Sequence, residues 1–532
     1  MEIMKYFKYI KKPTIIEIVF SFFYSFAIAT IPYLNKQLFD TVETGQYAQL
    51  WKLVLYYLIA IFASSFLQYI SQASSWQRLT DLHLAVKDIL FKSFLGYSHS
   101  SFREKSVGEY VSMIENDVNA LEETRIEGIV DIVKSALMLI VYAVAMILFV
   151  DLRIAVVVMV ASLGSALVPK LIAKTLAARK KKYLEDLGMY MNYTTDFLNG
   201  HASLNVDSKK KVTKEFEKHL YQQEQSKLSF GKFKTLTNVT NGTVMDIISL
   251  SAFIMVGYLL IKKEITIGAG VATFGYIENF IYPIKYILND INALSAGREV
   301  EKNIHQVISE SEAESTNRIE YGPPQSIEFR DVSLKRGEFR LERFNYTFEA
   351  GKKYAIVGHS GSGKSTLLSM IRGEVLPDSG EILLNGKPVE EASIKKVLSG
   401  INQQDHVFFG DYHANSSLFD TYSPDYDKIE RCFNGDVISR IKCGSDSRQL
   451  SGGEQKILLL MRSHASEKEI ILLDEVFSAI DYVNREEAKR FIFESNASLF
   501  ISVTHDLSEE NLGYYDEVLW MESGKLLSHP IG

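Results

Sequence analysis

Residues 358–366 read Gly358-His359-Ser360-Gly361-Ser362-Gly363-Lys364-Ser365-Thr366 and follow the strand-like run Lys353 to Val357. The glycines let successive backbone N–H groups wrap a polyphosphate. An apolar helical run, Leu367 to Ile371, comes next, so its N-terminus adds a favourable dipole. In this arrangement Lys364 reaches the β- and γ-phosphates and the Ser365 hydroxyl can hold Mg²⁺.

A second group of residues completes that chemistry. Ile470-Ile471-Leu472-Leu473 reads as a fully buried parallel strand that ends in Asp474-Glu475. Asp474 is placed to bind Mg²⁺, and Glu475 to polarise an attacking water. Another β-like run, Leu499 to Val503, ends at Thr504-His505, where a γ-phosphate sensor could emerge beyond the carboxyl edge of a sheet. A lone histidine after a strand is otherwise structural. Between these elements, Ser451-Gly452-Gly453 starts a helix running through Arg462. This is a simple helix cap or a second anion site. A second anion site makes sense if each copy of the chain presents it to the phosphate loop of another.

The elements that must position these groups fill the second half of the chain. The first half differs in kind. Of 532 residues, 47% are hydrophobic and the formal charge is -7, which gives no sign of a nucleic-acid binder. Cys432 and Cys443 fit no zinc or disulfide spacing and read as reduced thiols. Apolar stretches long enough to cross a bilayer fall at 14–35, 52–72, 127–150, 153–177, 243–262 and 268–292. Lysines at 5, 8, 11 and 12 and the run Arg179-Lys180-Lys181-Lys182 mark cytosolic segments. Loop 36–51, with Lys36, Asp40 and Glu43, reads as an outer loop. Residues 73–126 and 178–242 are polar and helical, so the membrane helices are expected to run far into the cytosol. Helix breaks are expected at Ser106-Val107-Gly108 and Asn199-Gly200.

In the sixth span, Glu278, Tyr282, Lys285, Asn289 and Asn292 share one helical face. Charges facing lipid are costly. That face therefore lines a water-filled substrate cavity or packs in a structural pair across a dimer. Lys134 and Asp246 read as end-of-helix residues at the headgroups.

Taken together, the chain resembles the ABC exporters over nearly its whole length. Leu450 to Glu454 is similar to the family's LSGGQ signature, with Glu454 in place of Gln. Ser478-Ala479-Ile480-Asp481 resembles the D-loop, Thr504-His505 the switch histidine, and Gln403 the Q-loop glutamine, in register with Phe408, Gly410 and Asn415. Ile31-Pro32-Tyr33-Leu34, Phe102 with Gly108-Glu109, and Phe197 to Gly200 resemble membrane-half features of the family. The resemblance implies coupling tips near 102–109 and 190–198, the second docking in the partner's nucleotide domain. Two departures stand out. Arg336 falls where the family has an adenine-stacking aromatic, with Phe339 as an alternative. The segment Cys443 to Ser447 lacks the glutamate common before the signature.

The implied fold is an α-helical polytopic membrane domain of six helices, in a domain-swapped dimer, joined to an α/β P-loop ATPase domain. The expected boundaries are a membrane domain over 1–308, a linker over 309–325 and a nucleotide-binding domain over 326–532. ATP and Mg²⁺ are the implied cofactors. Gln403 is expected to help bind Mg²⁺ and to sit by the γ-phosphate, and Asp481 to help bind nucleotide. The implied partners are a second copy, or a related chain in a heterodimer, together with membrane lipid. The expected function is ATP-driven export of a peptide or other amphipathic molecule across a bacterial cytoplasmic membrane. Multidrug efflux or lipid flipping is the alternative, with import or a non-transporting sensor behind it. No peptidase-like segment precedes the first span, so a leader-cleaving exporter is not expected.

Overall fold

The computed structural model describes residues 4–165, 167–314, 319–336, 339–403, 405–522 and 524–529. The chain divides into two compact units. One comprises residues 1–91 and 111–306; the other comprises 92–110 and 307–532.

The first unit is helical. Its helices are α1 (Met4–Glu43), α2 (Leu50–Gly96, which runs on into the second unit), α3 (Val107–Phe149), α4 (Leu152–Ser165), α5 (Leu167–Asn199), α6 (Val206–Ile261) and α7 (Ile267–Glu314, also shared). With 47 residues in α2 and 56 in α6, and ~1.5 Å of rise per residue, both far exceed a ~30 Å hydrocarbon core. Among the described residues, four helices are long and apolar enough to cross a membrane: Tyr6–Glu43, Tyr47–Gly96, Val107–Phe149 and Val206–Ile261. Of the other two expected spans, 153–177 includes residue 166, which lies outside the described residues. The last carries Glu278, Lys285 and Asp290 along α7.

Three sequence expectations need correction here. Residues 36–43 are not an outer loop: α1 continues through Glu43, and the turn falls at 44–46. Lys36 is used within the unit, its Nζ donating to the carbonyl of Phe149 at 2.8 Å. That carbonyl ends α3 and has no partner within its own helix. The turn after it is held by Arg153, which bonds Asp151 at 3.0 Å and also reaches Glu264. Lys134 is not a lone headgroup residue. It bonds Glu17 at 2.8 Å, and Glu17 bonds Arg78 at 2.8 Å. Glu17 and Arg78 are fully buried, so α1, α2 and α3 meet through ionic groups of opposite charge, with Arg78 Nη1 buried and without a hydrogen-bond partner among the described residues.

The third correction concerns the helical tips. The first helical break falls at 103–106, beside the expected Ser106-Val107-Gly108, after a short tip helix His99–Phe102 that Ser98 caps by accepting from Ser101 N. Within the second unit, both Glu391 carboxylate oxygens accept from His99 N, at 2.8 and 2.7 Å. The stretch 190–198 stays in α5; the turn falls at Gly200, and Asn205 caps α6 with a capping box.

The second unit holds two sheets. The antiparallel sheet has strand order β2-β1-β4-β5, with β1 (Ser326–Arg336), β2 (Phe339–Glu349), β4 (Ser379–Leu384) and β5 (Lys387–Pro388). The larger sheet has order β10-β9-β3-β8-β7-β6. Its strands are β3 (Lys353–Val357), β6 (Leu398–Ile401), β7 (Ile470–Asp474), β8 (Leu499–Val503), β9 (Glu517–Glu522) and β10 (Lys525–His529). From β9 to β6 every neighbour is parallel, while β10 is antiparallel. Side-chain alternation divides this sheet between two cores. Ala355, Val357, Ile471, Leu473 and Phe500 pack on one face; Tyr354, Ile356, Ile470, Leu472, Leu499 and Ile501 pack on the other. A sheet buried on both faces must run as a continuous apolar strand, and β7 and β8 do.

Candidate nucleotide site

Four parallel strands carry the chemistry at one edge. β3 runs into the phosphate loop, β7 ends at Asp474-Glu475, β8 leads to Thr504-His505, and β6 leads to Gln403. Parallel order places all four carboxyl ends together, where open α/β sheets bind ligands.

The loop requires its glycines. Gly361 and Gly363 have φ of 80° and 102°, in the left-handed region. A Cβ on Gly363 would stand 2.2 Å from a ring carbon of Phe339. Phe339, at the start of β2, therefore lies against the phosphate loop, while Arg336 is exposed at the end of β1. Lys364 is buried, and its Nζ donates to the carbonyls of Gly358 at 2.8 Å and His359 at 2.9 Å. Burial pushes its ammonium pKa down, against the opposing pull of Glu475 and Asp474. A buried ammonium held by two loop carbonyls is poised to exchange them for anionic oxygens.

Asp474, beside Ser365, has its carboxyl pushed up by burial, with the Ser365 hydroxyl and the Arg372 charge pulling the other way. These two adjacent oxygen donors fit the Mg²⁺ habit of taking few protein ligands and completing its shell with phosphate and water. Glu475 adopts φ 54°, which is rare for a residue with a Cβ. The conformation is held by Glu475 N donating to Val503 O at 3.1 Å and by Ser478 Oγ donating to Glu475 O at 2.7 Å. It brings Glu475 Oε1 to 2.8 Å from His505 Nε2.

Ser451 caps the helix Gly452–Ala465 in a full capping box. Its Oγ donates to Glu454 Oε2 at 2.7 Å and accepts from Glu454 N at 3.4 Å. Gly453 is needed for a close approach: a Cβ there would stand 2.9 Å from the Ala479 carbonyl. Asp481 caps the helix Tyr482–Phe493, bonding Asn484 Nδ2 at 2.6 Å, and its carboxyl sits below the ordinary range because of the Asn484 hydrogen bonds. Ser451 and Asp481 are thus both engaged within the chain at exposed helix starts. Among the described residues, neither bonds the phosphate loop, Asp474, Glu475 or His505.

Gln403 is exposed, and its carbonyl accepts from Lys456 Nζ at 2.8 Å, as does that of Asn402. Asn415 bonds Phe408 N through its Oδ1 at 2.9 Å. Residue 404, the other glutamine of this stretch, lies outside the described residues. Lys456 and Arg462, which holds the Asn415 and His406 carbonyls, were not singled out from sequence. Both lie on one short helix five and eleven positions after Ser451, a spacing that could have suggested a shared role. In the first unit, Glu278, Tyr282 and Asn289 are exposed. The side chains of Lys285 and Asn292 lie outside the described ones. Asp246 is exposed.

With this geometry in place, family models decide the assignment. Residues 14–284 match the ABC transporter transmembrane region, and residues 341–478 match the ABC transporter model. The chain belongs to the ABC transporter family. This ABC transporter chain joins the two matched regions of the family in one polypeptide. It is 29% identical over 294 residues to ABC transporter B family member 14 of Arabidopsis thaliana, covering 50% of this chain but 23% of that protein. The chain thus spans about a quarter of the length of such plant relatives. It is 23% identical to the ATP-dependent lipid A-core flippase of Pectobacterium atrosepticum, over 82% of this chain and 78% of the flippase. It is 24% identical to the ABC transporter ATP-binding protein YfiC of Bacillus subtilis, over 80% of this chain and 73% of that protein. In fold it resembles a bacterial Atm1-family ABC exporter solved with ATP bound, with a TM-score of 0.79, 17% identity, and coverage of 97% of this chain and 94% of that one.

Proposed function

We propose that two copies of this chain bind two ATP molecules between them and use hydrolysis to export an amphipathic molecule by alternating access. The observation that carries this reading is the gathering of Lys364, Asp474, Glu475 and His505 at one sheet edge while Ser451 sits exposed and away from them. A nucleotide on that edge needs a second anion site to be enclosed, and a second copy's Ser451, Gly452 and Gly453 offer one.

In this account the loop N–H groups from Gly358 to Thr366 cradle the phosphates. Lys364 exchanges its loop carbonyls for phosphate oxygens. Ser365 and Asp474, with Gln403 alongside, would hold Mg²⁺, which would supply positive charge to neutralise the transferred group. Glu475 accepts a proton from the attacking water, and His505 turns its Nε2–H from Glu475 to the γ-phosphate once nucleotide is bound. Arg336 or Phe339 stacks on the base. Asp481 lies at the seam between copies. The Glu391 carboxylate on His99 N gives the helical tip a fixed hold on the ATP-binding unit, so that closure moves α2 and α3.

ATP shifts the balance only by binding the closed state better. Glu475 and His505 are both present, which favours a homodimer with two working sites, in a bacterial cytoplasmic membrane. Glu278, Tyr282 and Asn289, exposed on α7, with Lys285 in the same helical register by sequence, suit a peptide or zwitterionic cargo. A second reading, lipid flipping, is favoured by the lipid A-core flippases among the relatives. Purified protein in lipid vesicles tests both: ATPase activity is followed with peptides and with lipids added. Stimulation by peptide supports the first reading and stimulation by lipid the second. Activity that no cargo changes points to a non-transporting ATPase.

A further inference from the structure

The signature of this chain carries a carboxylate where a neutral amide would avoid a conflict. Glu454 Oε2 accepts from Ser451 N at 3.0 Å and from Ser451 Oγ at 2.7 Å. A serine hydroxyl has one proton, so while it donates to Glu454 it cannot donate to a phosphate. A triphosphate arriving at Ser451 would also meet the Glu454 charge one hydroxyl away, with few waters between to screen it. The Glu454 side chain is 15% exposed. Burial opposes its ionisation, yet the hydrogen bonds from Arg440 and Ser451 prevail and hold its carboxyl below the ordinary range. The carboxylate is therefore charged at neutral pH.

A cation answers it from a neighbouring helix. Arg440, on Gly435–Cys443, donates from Nε to Glu454 Oε1 at 2.6 Å. Its side chain is 59% exposed. Nothing in the capping box needs Arg440, since Ser451 and Glu454 already satisfy each other. What the box lacks without Arg440 is charge balance.

We propose that Arg440 is a positioning residue for nucleotide. It neutralises and retains the Glu454 carboxylate, so that the Ser451 hydroxyl can turn to the γ-phosphate bound by a second copy. This rests on the reading that Ser451 meets the other copy's nucleotide.

The test is a double-mutant cycle on the full-length protein in lipid vesicles, with KM for ATP and kcat measured separately. Arg440→Ala is expected to raise KM at least tenfold with little change in kcat, since Glu475 is untouched. Raising salt should shrink that difference, and Arg440→Lys should recover part of it. Glu454→Gln is expected to lower KM, and in that background Arg440→Ala should cost less than twofold. Thermal unfolding checks that each variant folds. An equal KM penalty for Arg440→Ala in the native and Glu454→Gln backgrounds, or no penalty at all, would overturn the proposal. The prior reading is tested apart from it: if Glu475→Gln protein with the native signature forms no ATP-dependent closed dimer, the sandwich itself is wrong, whatever the cycle gives.

Discussion

His505 Nε2 lies 2.8 Å from Glu475 Oε1, and the two residues leave the ends of neighbouring strands β8 and β7. The left-handed backbone at Glu475 is what aims its carboxylate at this partner. The contact holds the proton acceptor in place before any substrate arrives, which is the preorganisation that catalysis requires.

Removing the charge of the acceptor while keeping its shape isolates its role. Glu475→Gln should bind ATP and close, while phosphate release falls by about 10²–10⁴-fold, the usual worth of a general base. Nucleotide binding and turnover measured on the same sample check this. Hydrolysis at the native rate would remove Glu475 from the mechanism.

His505→Ala should leave nucleotide binding in place and lower kcat by about 10²-fold or more, as loss of one donor to a developing charge does. Steady-state kinetics would show it as a kcat effect. A variant changed in KM alone would mean that His505 binds ground-state nucleotide and nothing more.

The buried ions of the helical unit make a prediction about stability. Glu17 is the carboxylate that balances Arg78, and it shares Lys134 with Asp131, which lies 2.6 Å from that lysine. Glu17→Gln strands a buried guanidinium, at a cost of about 3–5 kcal/mol. A fall in thermal stability in detergent should follow, and Glu17→Gln combined with Arg78→Met should recover much of it. Equal losses in the single and double variants would show that the ions do not pair in the folded protein.

His464 provides a pH test. Its ring stacks on Phe491, with centroids 4.5 Å apart, and its Nε2 lies 2.9 Å from Lys428 Nζ. Burial, helped by the Lys428 charge, lowers its pKa below the usual 6.5. The unfolded chain then takes up this proton first as pH falls. His464 therefore costs no stability above about 6.5, and stability is lost as pH drops below it. His464→Gln should flatten the melting temperature between pH 7 and pH 5 relative to the native protein. An unchanged acid slope would place the effect elsewhere.

Much of the site was legible because its chemistry fixes residue order. A phosphate loop needs Gly358 to Ser365 in sequence, and Asp474 and Glu475 must be adjacent at a strand end. Contacts between distant elements left no such trace. Arg78 and Glu17 are 61 positions apart, and Lys134 and Glu17 are 117 apart, so Lys134 reads from sequence as an end-of-helix charge and its partner cannot be named. Arg440 and Glu454 are 14 apart, on two helices whose crossing the sequence does not encode. The end of α1 was misplaced for a related reason. Lys36, Asp40 and Glu43 read as a polar loop until the Phe149 carbonyl supplied a partner for Lys36. The helical breaks were legible, since the turns fall at 103–106 and at Gly200, beside Ser106-Val107-Gly108 and at Asn199-Gly200.

The most direct test of the account is the structure of Glu475→Gln protein saturated with ATP and Mg²⁺ in a lipid nanodisc. The account predicts two chains closed on two nucleotides, each γ-phosphate held by Lys364 of one copy and within hydrogen-bond distance of Ser451 Oγ of the other. Separated ATP-binding domains, with Ser451 still bonded to Glu454 and facing water, would contradict it.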